Sequence, residues 1–206
     1  MAEVDFGNER IDIGIRGISF IGPEGAGKSE IAKPLSVATG KPYFTTGDAI
    51  RDIAATDHGP LGDKCREIIK NADYLPGTTL LKIVLERLSK PDVAQGFIMD
   101  GGLRTLTEAR GFPETLSEAG ITYPLDVIYM DIPEEMSYER LIFGENARKR
   151  EDDTVEKLAS RLQKFKYQLA ERVEEINKQP NWRFFIIDAT KSKKEVYDSV
   201  VQSILS

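Results

Sequence analysis

The spacing of apolar residues divides the chain into short buried runs and longer amphipathic stretches that follow one another in turn. Five short runs are typical of β-strands, at about 14–21, 43–46, 96–100, 125–132 and 182–187. Helical spacing occurs at about 28–38, 49–54, 61–69, 77–90, 104–119, 133–141, 153–176 and 195–205. Strands that alternate with helices predict an α/β fold with a parallel sheet covered on both faces.

The longest amphipathic stretch predicts one uninterrupted helix from about 153 to 176. Its apolar residues keep helical spacing from Val155 to Ile176, and Asp153 with Glu156 is a plausible capping pair. Asp126 and Asp131, by contrast, lie in the fourth predicted strand. We expect them to be strand-edge residues without a chemical role.

Polar and glycine-rich motifs follow several of the predicted strands. They are a glycine loop after the first strand, Thr46-Gly47-Asp48 after the second, Asp100 with Arg104 after the third, and Asp188 after the last. In an open parallel sheet, ligands gather at the carboxyl ends of the strands. The sequence therefore predicts a single binding site along that edge.

The glycine loop reads Gly-Pro-Glu-Gly-Ala-Gly-Lys-Ser from Gly22 to Ser29 and fits the pattern G-x-x-x-x-G-K-[ST]. Its glycines permit a backbone whose N–H groups turn inward around an anion, and the following helix begins there with its positive end. Lys28 would reach the outer phosphates, and the Ser29 hydroxyl would lie at magnesium. The pattern favours a nucleoside triphosphate site over a glycine-rich turn that binds nothing.

Composition narrows the class of protein. The 206 residues suit one domain, with or without insertions, and the net charge of −6 disfavours a nucleic-acid or anionic-membrane surface. Cys65 is the only cysteine, which excludes an internal disulfide and a zinc site made of several cysteines. A reduced, cytoplasmic setting is the expectation, with neither a secretory signal at 1–14 nor an apolar run long enough to cross a bilayer.

Five motifs in order make the chain resemble the adenylate kinase family of nucleoside monophosphate kinases. They are the loop at 22–28, Thr-Gly-Asp-Ala-Ile-Arg at 46–51, Gly-Phe-Ile-Met-Asp-Gly at 96–101 with Arg-Thr at 104–105, Arg140, and Arg-Glu-Asp-Asp at 150–153 with Arg-Leu at 161–162. The resemblance implies a three-layer P-loop fold with a five-stranded parallel sheet. It divides the chain into a core (1–45, 76–140 and 153–206), a helical monophosphate-binding insertion (46–75) and a short lid (141–152) without structural zinc.

The resemblance also implies reversible transfer of the γ-phosphoryl group from Mg·ATP to a nucleoside monophosphate, most simply AMP, by a monomer. The ATP-binding residues would be Gly22, Gly25, Ala26, Gly27, Lys28, Ser29, Glu30, Arg140 and Lys191. The monophosphate would be bound by Thr46, Gly47, Arg51, Leu75, Gly101, Arg104, Glu108, Arg150 and Arg161. Catalysis would use Lys28, Asp100, Arg104, Arg140, Arg150 and Arg161, and Ser29 and Asp100 would hold magnesium, partly through water.

Three positions depart from the family pattern. Ser29-Glu30 replaces glycine and threonine after the loop lysine, so Glu30 either weakens nucleotide binding or points outward. The usual Gly-Phe-Pro-Arg is Gly101-Gly102-Leu103-Arg104 here, which predicts a looser turn. The glutamine that reads adenine aligns with Glu108, whose ionised carboxylate can only accept hydrogen bonds. Either Glu108 shifts the acceptor toward GMP, or it turns to solvent or is protonated and AMP remains the substrate.

Two other functions remain open at this point. The chain could phosphorylate another small acceptor, or it could be a degenerate family member that binds nucleotide without turnover as a sensor or assembly partner. Glu30 and the altered turn at 102–103 support the degenerate alternative, whereas Lys28, Asp100 and the arginines oppose it.

Overall fold

The computed structural model describes residues 6–7, 10–71, 75–145, 147 and 154–206. A five-stranded, fully parallel sheet in the order β2-β3-β1-β4-β5 forms its centre. The strands are β1 (Arg16–Ile21), β2 (Tyr43–Thr45), β3 (Gly96–Asp100), β4 (Leu125–Asp131) and β5 (Trp182–Asp188). The predicted fold class is therefore confirmed, strand by strand.

Helices connect the strands and cover the sheet. They are α1 (Lys28–Thr39), α2 (Thr46–Thr56), α3 (Pro60–Asn71), α4 (Gly77–Leu88), α5 (Leu106–Glu118), α6 (Glu134–Tyr138), α7 (Val155–Lys166), α8 (Leu169–Asn177) and α9 (Lys193–Leu205). A 3-10 turn at Pro91–Gln95 precedes β3, and a π-helical turn at Glu139–Phe143 continues α6. None of the helices within the described residues is long and apolar enough to cross a membrane.

Alternating side chains of the central strands supply two cores, one on each face of the sheet. Phe97 and Met99 of β3 pack into the core under α4, α5 and α8, whereas Ile98 packs into the other one with α1 and α9. Side chains of successive strand residues point to opposite faces, which explains this division. The two cores cover the faces of the sheet, so the carboxyl ends of the strands form its open edge.

The prediction of one continuous helix over 153–176 is wrong. The structure ends α7 at Lys166 and starts α8 at Leu169, with Gln168 in the left-handed region at φ 57°. Thr154 caps α7 by accepting a hydrogen bond from the Lys157 N–H, whereas Asp153 of the predicted capping pair lies outside the described residues. No glycine or proline marks this break in the sequence.

The prediction that Asp126 is a strand-edge residue is wrong. Asp126 lies inside the sheet on β4, is fully buried, and accepts hydrogen bonds from Arg16 (Nη1 to Oδ2, 3.0 Å) and from Arg183 (Nε to Oδ1, 2.8 Å). Both arginines also donate to the Ile204 carbonyl near the end of α9. This buried ion-paired carboxylate ties the sheet to its last helix.

Candidate nucleotide site

The glycine loop joins β1 to α1 at the carboxyl edge of the sheet, and its backbone requires glycine. Gly25 and Gly27 have φ values of 85° and 82°, in the left-handed region. At Gly22, with φ 146°, an added Cβ would lie 2.6 Å from the Met130 carbonyl oxygen. The loop therefore packs against the end of β4 and opens toward the start of α1.

Lys28 is the first residue of α1, and its ammonium group curls back over the loop. Its Nζ donates to the carbonyl oxygens of Gly22 and Pro23, each at 2.9 Å. Because this places a positive charge inside a ring of backbone beside a helix N-terminus, the loop is suited to a polyphosphate. Ala26 is buried beneath the same loop.

Asp100 ends β3 directly beside the loop. The Ser29 hydroxyl donates to its Oδ2 at 2.5 Å, and the Tyr43 hydroxyl from β2 donates to the same oxygen at 3.1 Å. Burial, together with the nearby Asp100 carboxylate, raises the pKa of Tyr43 well above its usual value, so the phenol stays a donor. The strand register explains both contacts: Phe20, which leads into the loop, pairs with Asp100, and Tyr43 pairs with Ile98, two residues before Asp100 on the same face of the sheet.

The oxygens of Ser29 and Asp100 fit a magnesium ion bound with nucleotide. Magnesium prefers hard oxygen ligands, keeps several waters, and uses one or two protein groups plus phosphates rather than a full protein cage. Among the residues that the structure describes, no group of three or more His, Cys, Asp or Glu could hold a metal alone. The pair therefore fits the one or two protein groups that a magnesium ion bound with ATP would use.

Two of the arginines singled out in the sequence reach the loop itself. Arg140 donates to the carbonyl oxygens of Gly25 and Ala189, both at 3.0 Å, and burial lowers the pKa of its guanidinium from the usual value. Arg161 on α7, only 8% exposed, donates to the Glu24 carboxylate at 2.6 Å. Both guanidinium groups thus lie beside the expected phosphates, and Arg161 forms an ion pair with an acidic residue of the loop.

The turn after β3 carries Arg104 and is tightly packed. Leu103 is 1% exposed and lies in the left-handed region at φ 54°. At Gly102, an added Cβ would lie 2.4 Å from the Met99 methyl group, so a larger residue there would require the flexible Met99 side chain to move. Thr46 donates to the Gly101 carbonyl at 2.8 Å and joins the start of α2 to this turn. The looser turn that the sequence predicted is absent from these residues.

Glu108 belongs to the same turn. Its carboxylate accepts hydrogen bonds from the Arg104 N–H (2.8 Å) and the Thr105 hydroxyl (3.3 Å), while Thr105 caps α5 by accepting from the Glu108 N–H. Glu108 is only 2% exposed, so the idea that it turns to solvent is wrong. Its oxygens face the Arg104 N–H, the Thr105 hydroxyl and the Arg104 side chain, whose Nε lies 4.0 Å from Oε2.

Of the remaining predicted residues, those that the structure describes lie around this edge. Arg51 on α2 is largely exposed and donates to Asp48 at 2.6 Å, Gly47 opens the same helix, and Leu75 is buried after α3. Glu30 is exposed and paired with Lys193 at the start of α9, away from the loop backbone, and Lys191 is exposed near the end of β5. Arg150 and most of the predicted lid lie outside the described residues.

Sequence reasoning missed three residues that the structure brings to the site. Tyr43 could have been found only from the strand register, which pairs it with Ile98 and so puts its side chain on the same face as Asp100, two residues further along β3. Glu24 was visible as a carboxylate inside an anion-binding loop. Arg172 lies seven residues after Phe165 on an apolar helical face, a position where a charged side chain is unexpected.

Comparisons with known proteins agree with this geometry. A family model described as Adenylate kinase matches residues 20–180. An adenylate kinase of Trichodesmium erythraeum is 32% identical over 189 residues, which are 90% of this chain and 95% of that protein. One of Xanthomonas euvesicatoria pv. vesicatoria is 37% identical over 146 residues (70% and 76%), and one of Kosmotoga olearia is 41% identical over 125 residues (60% and 57%). The match thus spans nearly all of the first relative and little more than half of the last.

Proposed function

The chain belongs to the adenylate kinase family, and from that premise we propose that it transfers the γ-phosphoryl group of Mg·ATP reversibly to AMP. Membership in this family supports an ATP-dependent nucleoside monophosphate kinase, and the proposal adds that the acceptor is AMP. Magnesium as the cofactor and a monomeric enzyme belong to the same proposal.

One observation carries the proposal: the loop, Asp100 and the turn of Arg104 meet at one edge of the sheet. Lys28 lies over the loop, Ser29 is bonded to Asp100, and Thr46 joins the second strand's end to Gly101. A triphosphate in the loop and a monophosphate near Arg104 would therefore share one cleft. A P-loop that only bound a nucleotide would not require the second group of residues.

The residues would act mainly by positioning and by charge. In phosphoryl transfer the protein does little covalent chemistry and instead holds both nucleotides in line while neutralising the equatorial oxygens. Lys28 and the loop N–H groups would bind the β- and γ-phosphates, while Arg104 would hold the acceptor phosphate. Arg140 and Arg161 would face the transferring group. Mg²⁺, held through Ser29 and Asp100, would supply further neutralising charge on the ATP phosphates.

The position of Glu108 supports AMP over GMP. A carboxylate that reads guanine must present its oxygens to two N–H donors of the base. In this chain those oxygens accept from Arg104 N–H and Thr105 instead, and the side chain is buried. Reading guanine would therefore compete with the hydrogen bonds that the carboxylate accepts from the Arg104 N–H and the Thr105 hydroxyl.

Initial rates of ADP formation test the proposal. Purified protein with Mg·ATP is assayed against AMP, GMP, CMP and UMP, alongside Lys28→Ala and a control, Lys194→Ala, an exposed lysine on α9 that pairs with Asp198. We expect AMP to be the best acceptor and Lys28→Ala to lower kcat about 10³-fold, because a charge on the transferring phosphates is lost. Lys194→Ala should change kcat less than about twofold, as surface changes away from a site do.

Each alternative function gives a different result in this assay. Turnover with GMP alone would contradict the assignment of AMP. Nucleotide binding without turnover of any monophosphate would contradict the monophosphate kinase and favour either the sensor or a kinase for another small acceptor.

A further inference from the structure

Arg172 on α8 is fully buried, which is rare for arginine. It lies between the α7–α8 break and the turn after β3, and none of the roles considered above includes it. Its guanidinium carbon is 4.7 Å from the centroid of the Phe165 ring, so the planar group is stacked as well as enclosed. A buried charge of this kind needs several hydrogen-bond partners to be tolerated.

Backbone carbonyl oxygens from two separate segments supply those partners. Nη1 donates to the Leu103 oxygen at 2.9 Å, Nη2 donates to the Phe165 oxygen, and Nε lies 3.4 Å from the Gln168 oxygen. In a continuous helix the Phe165 carbonyl would accept from the N–H four residues later. The break at Gln168 frees it for the guanidinium, so the break and the buried arginine form one arrangement.

The Leu103 contact bears directly on Arg104. The Leu103 oxygen belongs to the peptide group that joins Leu103 to Arg104, and the N–H of that same group donates to Glu108 at 2.8 Å. The peptide is thus held from both sides, by a cation at its oxygen and an anion at its hydrogen. Leucine disfavours the left-handed backbone found at Leu103, so the turn depends on these contacts to keep its shape.

We propose that Arg172 is a positioning residue for the monophosphate site, fixing the Leu103–Arg104 peptide and so directing the Arg104 side chain toward the acceptor phosphate. The guanidinium supplies by long-range hydrogen bonds the rigidity that this turn lacks without a proline. It also joins the turn to the end of α7, the helix that carries Arg161. This inference rests on the proposed function, because it takes the acceptor to be a monophosphate held by Arg104.

The test is a comparison of Michaelis constants in Arg172→Met, which keeps the volume and removes the donors. We expect KM for AMP to rise about tenfold while KM for ATP changes less than about twofold, since the shifted peptide lies on the acceptor side only. Arg172→Lys keeps the charge but cannot span both carbonyls, and KM for AMP should rise about threefold. Rates are measured well below the Tm of the least stable variant.

Arg183→Met is the matched control. Arg183 also pairs with a buried partner, Asp126, but it lies at the opposite end of the sheet from the turn. We expect it to lower Tm by about 5 °C, as Arg172→Met does, and to leave both Michaelis constants within about twofold. This control distinguishes a general loss of stability from a displacement of the Leu103–Arg104 peptide.

The outcomes distinguish this proposal from the function on which it rests. A wild-type enzyme that phosphorylates AMP, with KM for AMP unchanged in Arg172→Met, would overturn the positioning role alone, as would a parallel rise in both Michaelis constants. If Arg172→Met does not fold, Arg172→Lys decides by the same selective rise or its absence. A wild-type chain that phosphorylates no monophosphate would overturn the proposed function and this role with it.

Discussion

The loop at Gly22–Ser29 and the turn at Gly101–Arg104 lie side by side at one edge of the sheet but are built differently. The loop takes its shape mainly from its own glycines and from Lys28, which bonds to carbonyls five and six residues away, while distant Arg140 adds a hydrogen bond to Gly25. The turn takes its shape from residues far along the chain, above all Arg172, which is 69 positions from Leu103. A short local motif therefore sets most of the geometry of the loop, but it does not set that of the turn.

This contrast explains why a departure from a family pattern need not loosen a site. The chain lacks the aromatic residue and the proline of the usual turn, yet Leu103 is buried and Gly102 fits closely against Met99. Contacts from α5 and α8 hold the turn instead. The following substitutions test whether the two regions differ in function as they do in construction.

After Lys28→Ala in the loop, the next largest effect is expected on the turn side. Arg104→Met should lower kcat/KM for AMP about 10²-fold, because charge-assisted hydrogen bonds to a phosphate are lost, with a far smaller change in KM for ATP. Arg110→Met, on α5 just after the turn but exposed and paired with Glu175, is the control and should change little. Equal losses of kcat/KM for AMP and for ATP in Arg104→Met would contradict separate roles for the loop and the turn.

Asp100 lies where the two regions meet. Asp100→Asn should lower kcat about 30-fold and raise the Mg²⁺ concentration needed for half-maximal rate, because the carboxylate charge beside Ser29 is removed. The control is Asp188→Asn, which changes a carboxylate at the end of β5 that is bonded to Thr190. An unchanged magnesium dependence in Asp100→Asn would contradict the assignment of Asp100.

A smaller effect is expected within the loop. Glu24→Gln removes a negative charge that pairs with Arg161, so KM for ATP should fall about threefold, with the difference shrinking at high salt. Glu175→Gln, which changes an ion-paired glutamate on α8, should leave KM for ATP unchanged. A rise in KM for ATP in Glu24→Gln would show instead that the ion pair holds Arg161 in its binding position.

The smallest effect is expected at Glu108. Glu108→Gln keeps one acceptor oxygen for the Arg104 N–H, so the ratio of kcat/KM for AMP to that for GMP should change less than about threefold. Tm should fall by about 2 °C as the cap of α5 weakens. A strong shift of acceptor preference from GMP toward AMP in Glu108→Gln would contradict this expectation and show that Glu108 reads the base.

The sequence predicted the strands, the parallel sheet and the phosphate loop because these depend on local patterns. Apolar runs identify β1, β3 and β4, and glycine spacing identifies the loop. The break between α7 and α8 escaped prediction, since no local breaker causes it and the partners of the Phe165 carbonyl come from the tertiary fold. Tyr43 and Glu108 were likewise misjudged or missed, because their partners depend on strand register and burial.

Transfer of label from γ-labelled ATP tests the central claim most directly. Wild-type protein is incubated with γ-labelled Mg·ATP and unlabelled AMP, and the products are separated. The account predicts that the label appears in ADP derived from AMP, and that Lys28→Ala abolishes this transfer. Label found only in inorganic phosphate, or retained in ATP while nucleotide binds, would contradict it.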